Sequence, residues 1–147
     1  MSYLKFERPL MINLQESLQK EMIRTNRSGA YSCTTIVDCN TRKYHGLLVV
    51  PVPEMDDDNH VLLSSFDCSV IQHGAAFNLG LHKYQGNTFS PNGHKYIREF
   101  SLETIPTTLY RVGGVILKRE IIFQAYNTRV LVRYTLVDCH SSTILRF

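Results

Sequence analysis

The chain has 147 residues, of which 44% are hydrophobic and 20% are charged, and its formal net charge is +3. This length suits one domain that can bury a core without disulfide cross-links, and the composition is ordinary for a soluble globular protein. No apolar stretch approaches the length of about 18 residues that a membrane-spanning helix needs. Because the charge is mild and the basic residues are scattered along the chain, nucleic acid is not an expected partner.

The amino-terminal segment and the cysteines indicate the compartment. Residues 1–8 mix charged and apolar side chains and lack the apolar core of a secretory signal peptide, so we expect a cytoplasmic protein. The thiols of Cys33, Cys39, Cys68 and Cys139 are then expected to be reduced. Their spacing matches neither a disulfide framework nor the usual ligand spacing of zinc sites, so we expect no metal and no other cofactor.

The first predicted element is one short helix, or a single turn of helix, within residues 14–23. Leu14, Leu18 and Met22 recur every four residues and would share one helical face. Residues 25–29 then form a turn cluster of small and polar residues. Residues 30–37 are rich in β-branched and aromatic side chains, which favours a strand.

The segment 40–50 changes character halfway. Its first six residues, which we call the polar cluster, are Asn40, Thr41, Arg42, Lys43, Tyr44 and His45. Residues 47–50 are a continuous apolar run, which predicts a strand covered on both faces. If residues 38–41 form a hairpin turn, residues 31–36 pair with residues 43–49, and the polar cluster lies at the tip of the hairpin.

The middle of the chain is predicted to alternate loops and strands. Residues 51–59 form a loop, because their prolines do not suit a central strand and three neighbouring carboxylates repel one another. Residues 60–72 are predicted to form one long strand, with residues 75–79 as its hairpin partner across His73 and Gly74. Residues 80–95 are rich in turn residues and are predicted to be irregular, as in a binding surface.

The last third of the chain carries the clearest strand patterns. Strands are predicted at residues 96–102, 108–112, 115–124 and 129–137, and a further strand begins at residue 143. Gly113 and Gly114 predict a two-residue type I′ turn, in which both positions need a positive φ. In the strand 129–137, the side chains of Val130, Val132, Tyr134 and Leu136 are predicted to point inward.

The predicted elements together indicate the fold class. About eight or nine strands with at most one short helix predict an all-β fold, an antiparallel β-sandwich or barrel formed by residues 1–147 as one domain. The chain ends on the apolar strand pattern of residues 144–147. We therefore expect a fragment of a longer domain, truncated at its carboxyl-terminal end.

Three segments, in this order and spacing, resemble the amino-terminal domain of bacterial and archaeal glycogen debranching enzymes, which are amylo-α-1,6-glucosidases. The segments are residues 21–26, residues 29–32 and residues 40–48, the last with the sequence Asn-Thr-Arg-Lys-Tyr-His-Gly-Leu-Leu. Later landmarks extend the resemblance over most of the chain: Tyr84, residues 91–96, Phe100, Arg119, Glu120 and residues 132–134. The family usually has an aromatic residue where Met22 stands and a Gly-Gly pair where residues 28–30 stand.

The resemblance implies a β-sandwich of the galactose-mutarotase-like type. In the full enzyme this sandwich packs against a catalytic (α/α)-barrel that cleaves the α-1,6 branch points of glycogen. Glycoside hydrolysis generally needs two carboxyl groups that flank the scissile bond, and no carboxylate pair in this sequence lies in such a motif. We therefore expect that this chain alone is not catalytic.

The polar cluster has three interpretations. The six side chains, with Tyr31 as a cross-strand neighbour, would bind an α-glucan such as glycogen or a maltooligosaccharide, since tyrosine stacks on a sugar ring and the others bond its hydroxyls. Alternatively, they would dock the domain onto the (α/α)-barrel. The third interpretation is structural, with Asn40 and Thr41 bonding the turn and Tyr44 and His45 capping the core.

Two other classes of function stay open. A free-standing sugar epimerase of similar fold would need a histidine pair and a carboxylate that face one pocket, with His45, His82 and His94 as the candidates. A non-enzymatic assembly module is the other class, and the doubly apolar strand at residues 47–50 favours it. A truncated sandwich also leaves strand edges without partners, so we expect the fragment to form a homo-oligomer.

Overall fold

The computed structural model describes residues 4–147, and most of them lie in short strands. Residues 1–3, at the start of the amino-terminal segment discussed above, lie outside the described residues. The helices within residues 4–147 are far too short to cross a membrane.

The elements in chain order are β1 Leu4–Glu7, α1 Arg8–Ile12, α2 Leu14–Ser17, β2 Glu21–Thr25, β3 Tyr31–Thr35, β4 Gly46–Pro51, β5 Asn59–Leu63, β6 Ser69–Gln72, β7 Ala75–Asn78, β8 His82–Tyr84, β9 Thr88–Ser90, β10 Ile97–Leu102, β11 Pro106–Val112, β12 Val115–Phe123, β13 Val130–Asp138 and β14 Ile144–Arg146. Short 3-10 turns at Gln85–Asn87 and Gly93–Tyr96 flank β9.

Four antiparallel sheets share these strands. The order is β1-β10-β11-β12-β13 in the largest sheet, β2-β3-β4-β5 in the second, β14-β6-β7 in the third and β8-β9 in the fourth. The two larger sheets contribute side chains to one hydrophobic core, for example Leu47 from β4 and Leu117 from β12. The predicted all-β class with a sandwich-like arrangement of antiparallel sheets is confirmed.

Strand β4 is covered on both faces, as its apolar run predicts. Leu47, Val49 and Val50 are each at most 4% exposed, although successive residues point to opposite sides of the sheet. The strand lies between β3 and β5, which satisfies its backbone on both edges. The residues just before β4 are therefore attached to one of the most buried strands of the protein.

Of the helix predicted within residues 14–23, a single turn is confirmed, but the helical face predicted to include Met22 is wrong. Helix α2 ends at Ser17, and Met22 lies in β2, where it faces Thr34 of β3 and is 4% exposed. The neighbouring Ile23 is 59% exposed, which is the alternation of a strand. Pairing with β3 overrides the four-residue spacing of the apolar side chains.

The single strand predicted over residues 60–72 is also wrong. Residues 64–68 interrupt it, so that β5 belongs to the second sheet and β6 to the third. Of the four apolar residues in phase along the predicted strand, Leu62 and Phe66 are exposed, whereas Cys68 and Val70 are buried. The segment 64–68 instead crosses between the sheets, and the Ser64 carbonyl accepts a hydrogen bond from the Leu47 amide.

Local turn signals give a mixed result. The hairpin across His73 and Gly74 is confirmed, with φ values of 49° and 78°. The hairpin across Gly113 and Gly114 is confirmed as well, but only Gly113 has a left-handed φ, 56°, so the turn is not type I′. Residues 80–95 are less irregular than predicted, because β8 and β9 form a small hairpin there.

Strand β13 is an edge strand, which limits its predicted burial. Val130, Val132 and Tyr134 are partly buried and alternate with exposed residues, as predicted. Leu136 was predicted to point inward but is 45% exposed, because β13 has a partner strand on one side only.

Candidate functional site

The polar cluster lies in the loop of residues 36–45 that connects β3 and β4. The predicted hairpin is confirmed, since Tyr31 pairs with Val49 and Cys33 with Gly46. The predicted tight turn is wrong, because β3 ends at Thr35 and β4 begins only at Gly46. The polar cluster is therefore held by the loop rather than by the first rungs of a hairpin.

The first half of this loop is anchored in the core. Ile36, Val37 and Cys39 are each at most 2% exposed. The Thr35 hydroxyl donates to the Cys39 carbonyl at 2.9 Å and accepts from the Cys39 amide at 3.0 Å. These contacts fix the point from which the polar second half of the loop extends.

Asn40 points inward, and both its amide nitrogen and its amide oxygen have protein partners. Its amide nitrogen donates to the carbonyl and the hydroxyl of Ser64 at 2.9 Å and 3.1 Å. Its amide oxygen accepts from the Thr34 hydroxyl at 2.8 Å. Asn40 therefore ties the loop to the crossing segment 64–68 and does not present its side chain to a ligand.

His45 also points inward and is 5% exposed. Its Nδ1 accepts a hydrogen bond from the Thr41 backbone amide at 3.1 Å, which places the proton of the neutral ring on Nε2. Nε2 faces the Glu21 carboxylate at 3.4 Å. Burial lowers the pKa of His45, while the nearby Glu21 opposes that effect.

The side chains of Glu21, Cys33 and His45 come together, with donor atoms within 4.8 Å of one another. A metal would need the lone pair of His45 Nε2, but the Thr41 amide already uses the Nδ1 lone pair, so Nε2 carries the proton. Burial also raises the pKa of the Cys33 thiol, which keeps it protonated. The arrangement therefore does not fit a metal centre, and the buried His45 Nε2 lies near Glu21 without a hydrogen-bond partner within residues 4–147.

Three further members, Arg42, Lys43 and Tyr44, face outward, and we call them the outer patch. Thr41 is partly buried and donates its backbone amide to His45. The Arg42 side chain is 72% exposed, and its Nε donates to the Glu21 carboxylate at 2.5 Å. The Lys43 ammonium lies 4.9 Å from the centre of the Tyr44 ring. The outer patch thus presents two cations and one aromatic ring to the solvent.

Tyr44 is held in place from two sides. Its hydroxyl donates to the Asp58 carboxylate at 3.3 Å, and its backbone carbonyl accepts from the Tyr31 hydroxyl at 3.2 Å. Tyr31 itself is half-buried and so supports the loop rather than forming an exposed ring. Asp58 belongs to a loop whose own Asp56 carboxylate accepts from the Asp58 amide at 2.8 Å.

Sequence reasoning missed Glu21, Asp58 and Ser64, which position the cluster. Glu21 opens the first segment of the family resemblance, and this was the available signal for it. The sequence shows Asp58 only as one of three neighbouring carboxylates, and it contains no pattern that predicts a contact between Ser64 and Asn40. Contacts between residues so distant in sequence depend on the pairing of β2 through β5.

A narrow pocket lies behind the loop. Its lining includes Asp38, which forms an ion pair with the buried Arg119 and accepts from the Tyr110 hydroxyl at 3.4 Å. It also includes Asp67, which bonds His82 at 2.7 Å. The enclosed space is about 20 Å³, which is room for one water and too little for a sugar ring.

The histidines proposed for an epimerase do not converge on this pocket. His82 reaches it through Asp67, while neither His45 nor His94 is part of its lining. His94 is 3% exposed, and its Nδ1 has no hydrogen-bond partner within residues 4–147. Among residues 4–147, no histidine pair shares a carboxylate at this pocket.

The two buried histidines predict that acid destabilises the fold. Burial lowers the pKa of both His45 and His94 below the ordinary value of 6.5, so the unfolded chain binds more protons than the folded chain as the pH falls below 6.5. Their contribution to stability is present above that pH and is lost below it. Melting temperatures measured between about pH 8 and pH 5 should therefore fall toward acid.

Two variants separate this effect from general acid sensitivity. His45→Asn keeps an acceptor for the Thr41 amide but cannot take up the proton, so its melting temperature should depend less on pH. His140→Gln is the matched comparison, because it removes an exposed histidine, and the change of slope should be larger in His45→Asn. An unchanged slope in His45→Asn would show that His45 does not titrate in this range.

Comparison with known protein families gives one match. A family model described as glycogen debranching enzyme N terminal matches residues 20–147. No curated protein and no solved structure gives a significant match. The matched range includes the whole loop of residues 36–45 and each partner that positions it.

Proposed function

Because the chain belongs to the glycogen debranching enzyme N-terminal family, we propose that it docks through the outer patch onto the catalytic domain of such an enzyme. The family match covers all of the chain except its first 19 residues. The proposed partner is the (α/α)-barrel that the family resemblance implies. Hydrolysis of α-1,6 branch points in glycogen is assigned to that barrel.

One observation carries this proposal: the outer patch is exposed but already ordered by its own chain. Arg42 is bound to Glu21, and Tyr44 is bound to Asp58 and Tyr31. A surface that is ordered before binding loses less conformational entropy when a partner docks. The first half of the loop is anchored in the core, which supports the same conclusion because it restricts the movement of the patch.

The charges around the patch support a protein partner. Arg42 and Lys43 lie close to the carboxylates of Glu21 and Asp58, so positive and negative charges alternate over a short distance. Such mixed polar surfaces with an aromatic residue are typical of the rim and edge of protein interfaces. Complementary charges on the surface of the barrel would set the orientation in which it docks.

Direct glucan binding is the second candidate for the same residues. Tyr44 is 36% exposed, which would allow its ring to stack on a sugar ring. The Lys43 ammonium lies over that ring, however, and the outer patch is not part of the lining of the narrow pocket. A single partly covered ring without an enclosing cleft would bind a sugar weakly. Docking therefore has the stronger support.

Titration with maltoheptaose, followed by the backbone amide shifts of residues 40–46, distinguishes the two candidates. Docking predicts no shifts, because the outer patch would then bind the barrel and not a sugar. Shifts in this segment that disappear in Tyr44→Ala would instead support glucan binding and overturn docking.

The same variants test whether the patch is structural. Arg42→Ala and Tyr44→Ala should each change the free energy of unfolding by less than about 1 kcal/mol, because both side chains face solvent. Asn40→Ala is the matched comparison within the loop and should cost about 2 kcal/mol, because it leaves Ser64 and Thr34 without their partner. A loss in Tyr44→Ala as large as in Asn40→Ala would mean that Tyr44 serves the fold.

A further inference from the structure

A large groove lies far from the outer patch in sequence. It is formed by β1, the start of α1, the residues around the beginning of β10 and the end of β11, and its volume is about 880 Å³. We call it the basic groove, because among residues 4–147 its lining includes five cations, Lys5, Arg8, Lys95, Arg98 and Arg111, and two carboxylates, Glu7 and Glu99.

The basic groove concentrates the charge of the chain. Its lining carries a net charge of +3, and the chain as a whole also carries +3. The cations come from positions 5, 8, 95, 98 and 111, so they look scattered in the sequence and are brought together only by the pairing of β1, β10 and β11. The residues outside the groove therefore carry no net charge in total.

Both carboxylates are already engaged by one of the cations. The Lys5 ammonium lies 2.9 Å from the Glu99 carboxylate and 3.8 Å from that of Glu7. The other four cations, Arg8, Lys95, Arg98 and Arg111, have no ion-pair partner within residues 4–147 and are exposed. These four like charges repel one another, and a bound anion would offset that repulsion.

The cations indicate the chemistry of the anion. Three of the four unpaired side chains are arginines, whose planar guanidinium groups donate paired hydrogen bonds that match the oxygens of a phosphoryl group. Lys95 adds a point charge of the kind that commonly contacts phosphate. A carboxylate ligand would satisfy fewer of these donors than a phosphoryl group, which offers three oxygens.

The size and walls of the groove indicate that the phosphoryl group is attached to an organic body. The volume lies in the range of sites for organic ligands and exceeds the needs of a bare phosphate. The Tyr96 ring forms part of the wall and is fixed by an edge-to-face contact with Phe77, with ring centres 6.0 Å apart. This ring offers a platform for a sugar, and the oxygens of Glu7 and Glu99 offer acceptors for its hydroxyls.

We propose that the basic groove binds a phosphorylated monosaccharide, with Arg98 and Arg111 holding the phosphoryl group and Tyr96 contacting the sugar. The basic groove shares no residue with the outer patch. The proposal therefore does not depend on docking, and either one can fail without the other.

Calorimetric titration of the chain with glucose 6-phosphate, glucose and inorganic phosphate tests the proposal. Glucose 6-phosphate should bind with a Kd in the range of about 0.1 to 1 mM, inorganic phosphate about tenfold more weakly, and glucose without detectable heat. Arg98→Gln and Arg111→Gln should each weaken glucose 6-phosphate binding by about fivefold or more. Both side chains are exposed, so the melting temperature of each variant should stay close to that of the parent chain.

Arg129→Gln is the matched control, because Arg129 is an exposed cation outside the groove. Its glucose 6-phosphate affinity should equal that of the parent chain. The proposal is overturned if glucose 6-phosphate gives no binding at about 20 mM. It is also overturned if Arg129→Gln weakens binding as much as Arg98→Gln, or if inorganic phosphate binds as tightly as the sugar phosphate.

Discussion

Replacing Arg119 with leucine is expected to lower the free energy of unfolding by about 3 kcal/mol or more. Arg119 is 6% exposed, and its guanidinium forms an ion pair with the Asp38 carboxylate. Within residues 4–147, the substitution leaves that carboxylate with the Tyr110 hydroxyl as its one recorded side-chain partner. A partly buried charge without its counterion is costly because water cannot replace the lost partner.

Arg133→Leu is the matched control on the same pair of strands. Arg133 forms two hydrogen bonds with Glu120, at 2.8 Å and 2.9 Å, but its side chain is 55% exposed. The Glu120 side chain is itself only 9% exposed, but after the substitution it keeps the Lys118 ammonium at 3.5 Å as a counterion, whereas Asp38 keeps no cation partner within residues 4–147. Urea unfolding of both variants should therefore show a much smaller loss for Arg133→Leu, and equal losses would contradict the special role of the buried pair.

Gly93→Ala is expected to be similarly damaging, with a loss of about 3 kcal/mol or more in the free energy of unfolding. A Cβ at this position would overlap the backbone of Leu79 and Gly80. The backbone would have to move, which breaks the hydrogen bond from the Gly93 amide to the Gly80 carbonyl, now 2.9 Å long. Unlike the end of a side chain, the backbone at Leu79 cannot rotate away, since its amide is bonded to Cys68.

Gly114→Ala provides the control for this second prediction. The nearest atom to its added Cβ would be Cδ2 of His140 at 3.5 Å, an ordinary contact with an exposed side chain. The free energy of unfolding should change by less than about 1 kcal/mol. If thermal or urea unfolding shows similar losses in Gly93→Ala and Gly114→Ala, the close approach at Gly93 is not what constrains the fold.

Features of the fold that depend on neighbouring residues could be predicted from the sequence. The apolar run of β4 and the two-residue turns at His73 and Gly113 each depend on residues that are a few positions apart. The structure confirms the buried strand and both hairpins. Sheet membership could not be predicted in this way. The break between β5 and β6 arises because the two strands pair with different partners, and no local pattern in residues 60–72 marks it.

The candidate site could be located from the sequence but not oriented. The residue types in the polar cluster and the family resemblance both indicate the segment 40–45. Which side chains face inward depends on Glu21 and Ser64, which are far away in the sequence and approach the loop only through the second sheet. The structure thus separates the inward Asn40 and His45 from the outward Arg42 and Tyr44, a division that residue type alone does not give.

Hydrogen exchange of this chain, with and without a separately produced catalytic (α/α)-barrel of a glycogen debranching enzyme, tests docking most directly. Docking through the outer patch predicts slower exchange at residues 41–44 and 56–58 when the barrel is present, and no slowing in the double variant Arg42→Ala with Tyr44→Ala. Asn40 and the core strands should keep the same exchange rates in both conditions. Unchanged exchange at residues 41–44 with the barrel at saturating concentration, or equal slowing in the double variant, would contradict docking through this surface.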